Sequence, residues 1–273
     1  MVDKDGIDRL VNLAIHAARL AGREILKYYK SEFAFSMKED GSPITAADIA
    51  SHEIICNYLS REKYPVISEE GMHSVSELSH YWLVDPLDGT KDFLAKNDEF
   101  TINIALIQDS MPVIGVIYAP VFDELFVGVP ARRLVWSEVN GRKISFSTQT
   151  RAKNLRLAVS RFHNVKATEL FSKANSIVEE VSIGAALKYC RIVGGNIDVY
   201  LRLVGTSEWD TAAGQAILEA SGGAIIDLQT MRPLQYGKSK KRNGKFLAFR
   251  SPYKINEFII PDSIFSYRLG CDE

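Results

Sequence analysis

The sequence predicts an α/β protein, with an α+β first half and an α/β second half. Three observations carry this: a long helical period opens the chain, a dense series of strand-like runs follows, and beyond about Arg151 strands and helices alternate. From Ile7 to Lys30 the apolar residues Ile7, Leu10, Val11, Ala14, Ala18, Ala21 and Ile25 recur every three or four positions, which places them on one helix face. A second helix is expected after the Gly41-Ser42-Pro43 turn. There Thr45-Ala-Ala-Asp48 reads as a capping box, and Ile54, Ile55, Tyr58 and Leu59 form the buried stripe. Strands are predicted at Pro65–Ser68, Tyr81–Val84, Thr101–Gln108, Val113–Ala119 and Glu124–Val129, all rich in β-branched or aromatic residues. In the second half, strands are expected at Leu155–Ser160 and Ser176–Val181, with helices at Val165–Lys173, Gly184–Val193 and Thr211–Ala220. The character of the chain changes near residue 150, which divides it into halves 1–150 and 151–273.

With 46% hydrophobic and 25% charged residues, 273 residues can bury a substantial core. The 33 basic and 34 acidic side chains nearly cancel, so no global positive field would hold a nucleic-acid polymer; an anionic ligand must be met locally. Cys56, Cys190 and Cys271 lie far apart and never as C-x-x-C, against a disulfide framework or a thiolate zinc site. The charged opening Met1-Val-Asp-Lys lacks a signal-peptide core, and no apolar run approaches the roughly 18 to 20 residues that span a bilayer. A cytoplasmic protein is expected, with peripheral association with the membrane's inner face left open; the oligomeric state is not legible.

The chemistry concentrates in Tyr81-Trp-Leu-Val-Asp85-Pro86-Leu87-Asp88-Gly89-Thr90. An apolar strand delivers Asp85 to its end, Pro86 is expected to stop the ladder, and Asp88 follows in the turn. The two carboxylates and the Leu87 carbonyl can then converge on one point. Hard cations such as Mg²⁺ take oxygen ligands, and an all-oxygen set without His or Cys matches that preference. Gly89-Thr90 reads as the start of a helix whose first N–H groups would attract an anion. Further acids sit at comparable places: Glu69-Glu70 after the strand Val66-Ile67-Ser68, and Asp210 just before the run Thr211–Ala220. Each also has a plainer reading. Asp48 and Asp210 can be helix caps, Glu69-Glu70 a solvated loop, and Asp85–Thr90 an ordinary turn.

In order along the chain, Asp40-Gly-Ser-Pro-Ile-Thr45-Ala-Ala-Asp48, Ser68-Glu69-Glu70, Trp82-Leu-Val-Asp85-Pro-Leu-Asp88-Gly-Thr90-Lys-Asp-Phe and Glu208-Trp209-Asp210-Thr-Ala-Ala-Gly resemble the signatures of the inositol-monophosphatase superfamily. The resemblance covers about residues 1 to 250. It implies a layered αβαβα sandwich and at least two Mg²⁺ ions, one held by Glu69, Asp85 and the Leu87 carbonyl, the other by Asp85, Asp88 and Asp210. It further implies that Thr90 and Asp48, assisted by Glu69 or Glu70, orient and deprotonate the attacking water, that Gly89, Thr90 and Asp210 also touch substrate, and that Li⁺ inhibits. Residues 1–150 would then carry most metal ligands, and 151–273 would complete the site and the substrate pocket. A loop at Met37–Ser42, carrying Lys38, would be flexible.

Within the superfamily the sequence is most similar to the 3′(2′),5′-bisphosphate nucleotidases, the CysQ group. Lys38-Glu-Asp-Gly-Ser-Pro-Ile-Thr, Asp92-Phe93, Leu187-Lys188-Tyr-Cys and Asp198-Val-Tyr-Leu-Arg202 carry that similarity. It implies that Lys188 and Arg202 face the second phosphate of adenosine 3′,5′-bisphosphate, and that His163 contacts substrate. Ala185 departs from the pattern, standing where a serine is frequent. The basic run Lys238–Lys245 reads as a solvated loop. Two rivals remain: an inositol-1-monophosphatase or another small phosphomonoesterase, and a non-catalytic sensor of metal and nucleotide.

Overall fold

The computed structural model describes residues 4–31, 35–37, 43–71, 78–146, 150–161 and 166–266. Helix α1 (Lys4–Tyr29) leads to the short strands β1 (Phe35–Met37) and β2 (Pro43–Thr45), then to α2 (Ala46–Leu59). Strands β3 (Val66–Ser68) and β4 (His80–Asp88), helix α3 (Thr90–Leu94), and strands β5 (Thr101–Gln108), β6 (Met111–Ala119), β7 (Glu124–Val129), β8 (Leu134–Val139) and β9 (Arg142–Ser145) complete the first half. The second half runs β10 (Leu155–Val159), α4 (Lys166–Ala174), β11 (Ile177–Ser182), α5 (Leu187–Val193), β12 (Val199–Arg202), α6 (Ala212–Ala220), β13 (Ala224–Asp227), β14 (Arg232–Pro233), β15 (Phe246–Phe249) and α7 (Asp262–Ser266).

Among the described residues β3 to β9 form one sheet in sequence order, antiparallel throughout except for the parallel β3–β4 pair. The second sheet has the order β11-β10-β12-β15-β13-β14, with parallel pairing on one side and antiparallel on the other. Three apolar clusters stack the layers. Leu10, Ala14, Ala18 and Ile25 of α1, with Ile55 and Leu59 of α2, pack on Trp82, Val84, Ile102, Ile104 and Leu106. On that sheet's other face Tyr81, Leu83, Ala105, Ile107 and Ile117 meet α5 and α6, which also cover Ala158, Tyr200 and Ala248 of the second sheet. Beyond that sheet, Leu157, Leu201 and Leu247 pack on Phe171 of α4, Phe258 and Ile264. The result is the αβαβα sandwich, with each fully buried Leu or Ile contributing about 1.5–3 kcal/mol.

The middle layer sits close because of two glycines. Gly115 and Gly128 are direct cross-strand partners. A Cβ on Gly128 would lie 2.4 Å from Ile217 Cα, and one on Gly115 would lie 2.4 Å from the Ala213 carbonyl, so α6 rests on bare backbone. This fixes the height of the turn that precedes α6.

The expected helices and strands all form, with ends shifted by a few residues. Two expectations change. The strand does not stop at Pro86: Asp85 pairs with Asn103 and Asp88 with Thr101, so Pro86-Leu87 form a bulge opposite Ile102. The proline nitrogen falls outside the ladder there, and the Ser51 hydroxyl of α2 takes the Pro86 carbonyl (2.7 Å). Strands β1, β2, β8, β9 and β12–β15 form where the sequence predicts none, because each is six residues or fewer, too short for a period to stand out.

Candidate active site

The bulge decides where the carboxylates point. Residues three apart on a regular strand face opposite ways, but one extra residue restores the face, so Asp85 and Asp88 both join Tyr81 and Leu83 on the side of the middle layer. Asp85 is 1% exposed and accepts the Leu87 N–H (3.1 Å). Asp88 accepts from Asn103 Nδ2 (3.1 Å), and the Thr101 hydroxyl lies 3.5 Å away. Asn103 escaped the sequence reading, although Thr101-Ile-Asn103 shows a polar period of two inside an apolar strand.

Glu69 lies in the turn after β3, where its N–H binds the Val84 carbonyl (3.1 Å) and brings it beside β4. Glu70, the next residue, is half-buried like Glu69. Asp210 comes from the turn before α6 and accepts the Ser207 N–H (2.9 Å). That bond runs backwards along the chain, so Asp210 does not act as the helix cap its position allowed. Burial raises the Asp85 carboxyl well above its usual range, and Glu69, Asp88 and Asp210 raise it further. Burial, then Asp88 and Glu69, do the same to Asp210. Asp88 is pushed up to about 6 by burial, against the opposing pull of Lys188 and the Asn103 hydrogen bond.

Mutual repulsion in a buried oxygen-only set is the condition that a hard divalent cation relieves, so the donor chemistry fits one. Among the described residues, no three His, Cys, Asp or Glu side chains are already closed into a group placed to hold an ion. Asp85, Asp88 and Asp210 each accept on one oxygen, from Leu87, Asn103 and Ser207, which orients the carboxylates and leaves lone pairs for an ion.

Across from these acids, Asp48 closes the capping box with one oxygen. Its Oδ2 accepts the Thr45 N–H (2.8 Å) and hydroxyl (2.6 Å), while Oδ1 lies 3.3 Å from the Thr90 hydroxyl. The Thr90 hydroxyl is also 3.4 Å from the Leu87 carbonyl. Capping and a chemical role thus use different oxygens of one residue. Gly89 turns the chain into α3 at φ 90, a left-handed conformation that favours glycine. Helix α3 has only five residues, too few for the anion-attracting dipole expected from the sequence. Positive charge comes from side chains instead.

Asp88, Gly89, Thr90, Lys188, Arg202 and Asp210 line one cleft of about 310 Å³. Lys188 is 7% exposed; its ammonium donates to the Ile183 and Ala185 carbonyls (2.9 Å each) and lies 5.3 Å from the centre of the Tyr200 ring. Burial lowers its pKa to about 8. Arg202 donates Nε to the Val204 carbonyl (2.9 Å) at the end of β12. Ala185 also lines the cleft, at φ 45. His163 and Lys38 lie outside the described residues.

Buried carboxylates thus share one cleft with cations in a layered αβαβα protein. A family model, that of the inositol monophosphatase family, matches residues 7–261, and the chain belongs to this family. It is 38% identical over 219 residues to "3′(2′),5′-bisphosphate nucleotidase CysQ" of Salmonella typhimurium, covering 78% of this chain and 88% of that protein. The protein of the same name from Escherichia coli K12 is 37% identical over 226 residues, covering 80% and 90%. Among solved structures, CysQ from Bacteroides thetaiotaomicron, described as a bacterial member of the inositol monophosphatase family, superposes with a TM-score of 0.78 at 33% identity over 89% of this chain and 97% of its own. Among the described residues, no helix is long and apolar enough to cross a membrane.

Proposed function

We propose that the protein is a Mg²⁺-dependent 3′(2′),5′-bisphosphate nucleotidase that hydrolyses adenosine 3′,5′-bisphosphate to AMP and phosphate. The observation that carries this reading is the meeting, in one cleft, of the Asp88/Asp210 carboxylates with two cations, Lys188 and Arg202. A monophosphate needs only the metal side; a second phosphate needs cations of its own. The nucleotidases named above, similar over most of their length, support the same substrate class.

Glu69, Asp85 and the Leu87 carbonyl would hold one ion, and Asp85, Asp88 and Asp210 a second. When bound, Mg²⁺ acidifies a water and offsets charge on the departing oxygen. The Thr90 hydroxyl, held against Asp48 Oδ1, orients the attacking water and passes its proton to that oxygen, with Glu69 or Glu70 assisting. As the water oxygen bonds to phosphorus, the phosphorus–O3′ bond breaks and the departing O3′ takes a proton from solvent. Lys188 and Arg202 hold the 5′-phosphate, which orients the 3′-ester for in-line attack. A cytoplasmic setting suits the unpaired thiols of Cys56 and Cys190.

The test is phosphate release from adenosine 3′,5′-bisphosphate, inositol 1-phosphate and fructose 1,6-bisphosphate, each with Mg²⁺ and with EDTA. The expected result is metal-dependent turnover with the highest kcat/KM on the nucleotide. Preference for inositol phosphate or the sugar would reassign the substrate. Tight nucleotide binding without phosphate release would make the protein a sensor.

A further inference from the structure

The run Lys238–Lys245, which as sequence reads as a solvated loop, is in fact largely built into the protein. Lys238 Nζ binds Glu208 Oε1 and Asn243 Oδ1 (3.1 Å each), Lys241 is 4% exposed with Nζ on the Lys238 carbonyl (3.0 Å), and Lys245 Nζ binds the Ile264 carbonyl (2.6 Å). The loop is stapled to the segment that leads into Asp210. Glu208, wholly buried, accepts the Gly237 and Lys238 N–H groups (3.0 and 2.9 Å) and donates its own N–H to the Lys241 carbonyl (2.8 Å). Asn243 Nδ2 binds the Ser207 carbonyl (2.9 Å), and Ser207 and Arg242 form a β-bridge.

The consequence is the placement of Arg242. Lys238, Lys241 and Lys245 are spent on protein acceptors, but Arg242 is exposed, lines the same cleft as Asp210, Lys188 and Arg202, and donates Nη1 to the Ser207 hydroxyl (3.2 Å). Lys188 meanwhile has two donors on carbonyls and Arg202 has its Nε on one. A phosphate dianion entering beside Asp88, Asp92 and Asp210 meets acids on its near side, and an arginine fork can bind two of its oxygens.

We propose that Arg242 is a substrate-contacting, specificity-determining residue that binds the phosphate left uncut, on the wall of the cleft formed by the Glu208-anchored loop. This rests on the bisphosphate nucleotidase reading. It predicts that recognition of the second phosphate is divided between the α5–β12 side and this loop, so that removing the guanidinium weakens discrimination between substrates.

The experiment compares kcat/KM for adenosine 3′,5′-bisphosphate and for adenosine 3′-monophosphate, which lacks the second phosphate, in the wild type, Arg242→Gln and Arg242→Lys. In Arg242→Gln the ratio of the two should fall roughly tenfold, through KM for the bisphosphate, as expected for a lost charge-assisted hydrogen bond. Arg242→Lys should lie between, since it keeps the charge and loses the fork. A ratio that stays at the wild-type value overturns the assignment, and so does an equal fall for both substrates, which marks a structural role. Wild-type protein without preference for the bisphosphate overturns the nucleotidase reading itself, and this proposal with it.

Discussion

The seven-stranded sheet supplies Asp85, Asp88 and Thr90 from one bulged strand and the turn after it, whereas the second half supplies Lys188 from a helix, Arg202 from a strand end and Asp210 from a turn. The first arrangement is rigid. Strand β4 pairs on both sides, and its bulge is pinned by Ser51. The second is an assembly of separate elements, held at the right height by α6 on its glycine seat. Bond-breaking tolerates little displacement, while a charged phosphate can be met from several directions, so chemistry belongs to the first group and recognition largely to the second. Variants in the first group, and at Asp210, should change kcat, and variants at Lys188 and Arg202 chiefly KM.

The sharpest test of the first group is Asp88→Asn, which should lower metal-dependent turnover by at least about 10³-fold in a phosphate-release assay. Near-normal activity would break the comparison at its base. A second readout concerns stability without metal. Asp88 has a folded pKa of about 6 against 3.8 for the free side chain, so the folded state holds its proton more tightly. Its stabilising contribution is present below 3.8 and is lost as pH rises toward 6. Metal-free wild-type protein should therefore lose Tm over that window, and Asp88→Asn should show a smaller loss.

Thr90→Ala comes next. Removing the hydroxyl that faces Asp48 Oδ1 should lower kcat by about 10²–10⁴-fold while KM changes little. Because Asp48 keeps its two bonds to Thr45, the fold should hold, and the circular dichroism spectrum should match the wild type. A change in KM alone would move Thr90 into the recognition group.

Gly128→Ala tests the link between the groups. The added methyl would sit 2.4 Å from Ile217 Cα and push α6 outward, at a cost of about 1–3 kcal/mol in denaturant unfolding. Since α6 follows directly from Asp210, kcat and KM should both worsen. Unaltered kinetics would show that the turn keeps its place without the helix seat.

The same contrast explains what the sequence made visible. Asp85, Asp88 and Thr90 stand in one short segment, with an apolar strand before them and a glycine within, and such local chemistry can be read directly. The αβαβα layering was legible only through resemblance, although the long helix and the central strands were plain from their periods. The bulge at Pro86 was not legible: proline predicts a stop, and only the partner residues Asn103 and Thr101 across the sheet reveal that the strand resumes. Arg242 was hidden for another reason. A basic run looks solvated unless its acceptors are known, and the buried Glu208 that holds the loop is some thirty residues upstream.

The smallest expected effect lies in the second group and turns on pH. Burial lowers Lys188 from 10.5 to about 8, so it is charged at neutral pH and loses its proton as pH rises through that value. KM for the bisphosphate should rise by a few-fold between about pH 7 and pH 9, with kcat less affected. Stability should move the other way. The unfolded lysine still holds its proton between 8 and 10.5 while the folded one does not, so the fold gains stability across that window as affinity falls. Lys188→Arg keeps its charge and should remove the pH dependence of KM, whereas Lys188→Met should show a high, flat KM. If wild-type KM is flat and matches that of Lys188→Met, then Lys188 serves only to tie the Ile183 and Ala185 carbonyls, and recognition of the second phosphate shifts to Arg202 and Arg242.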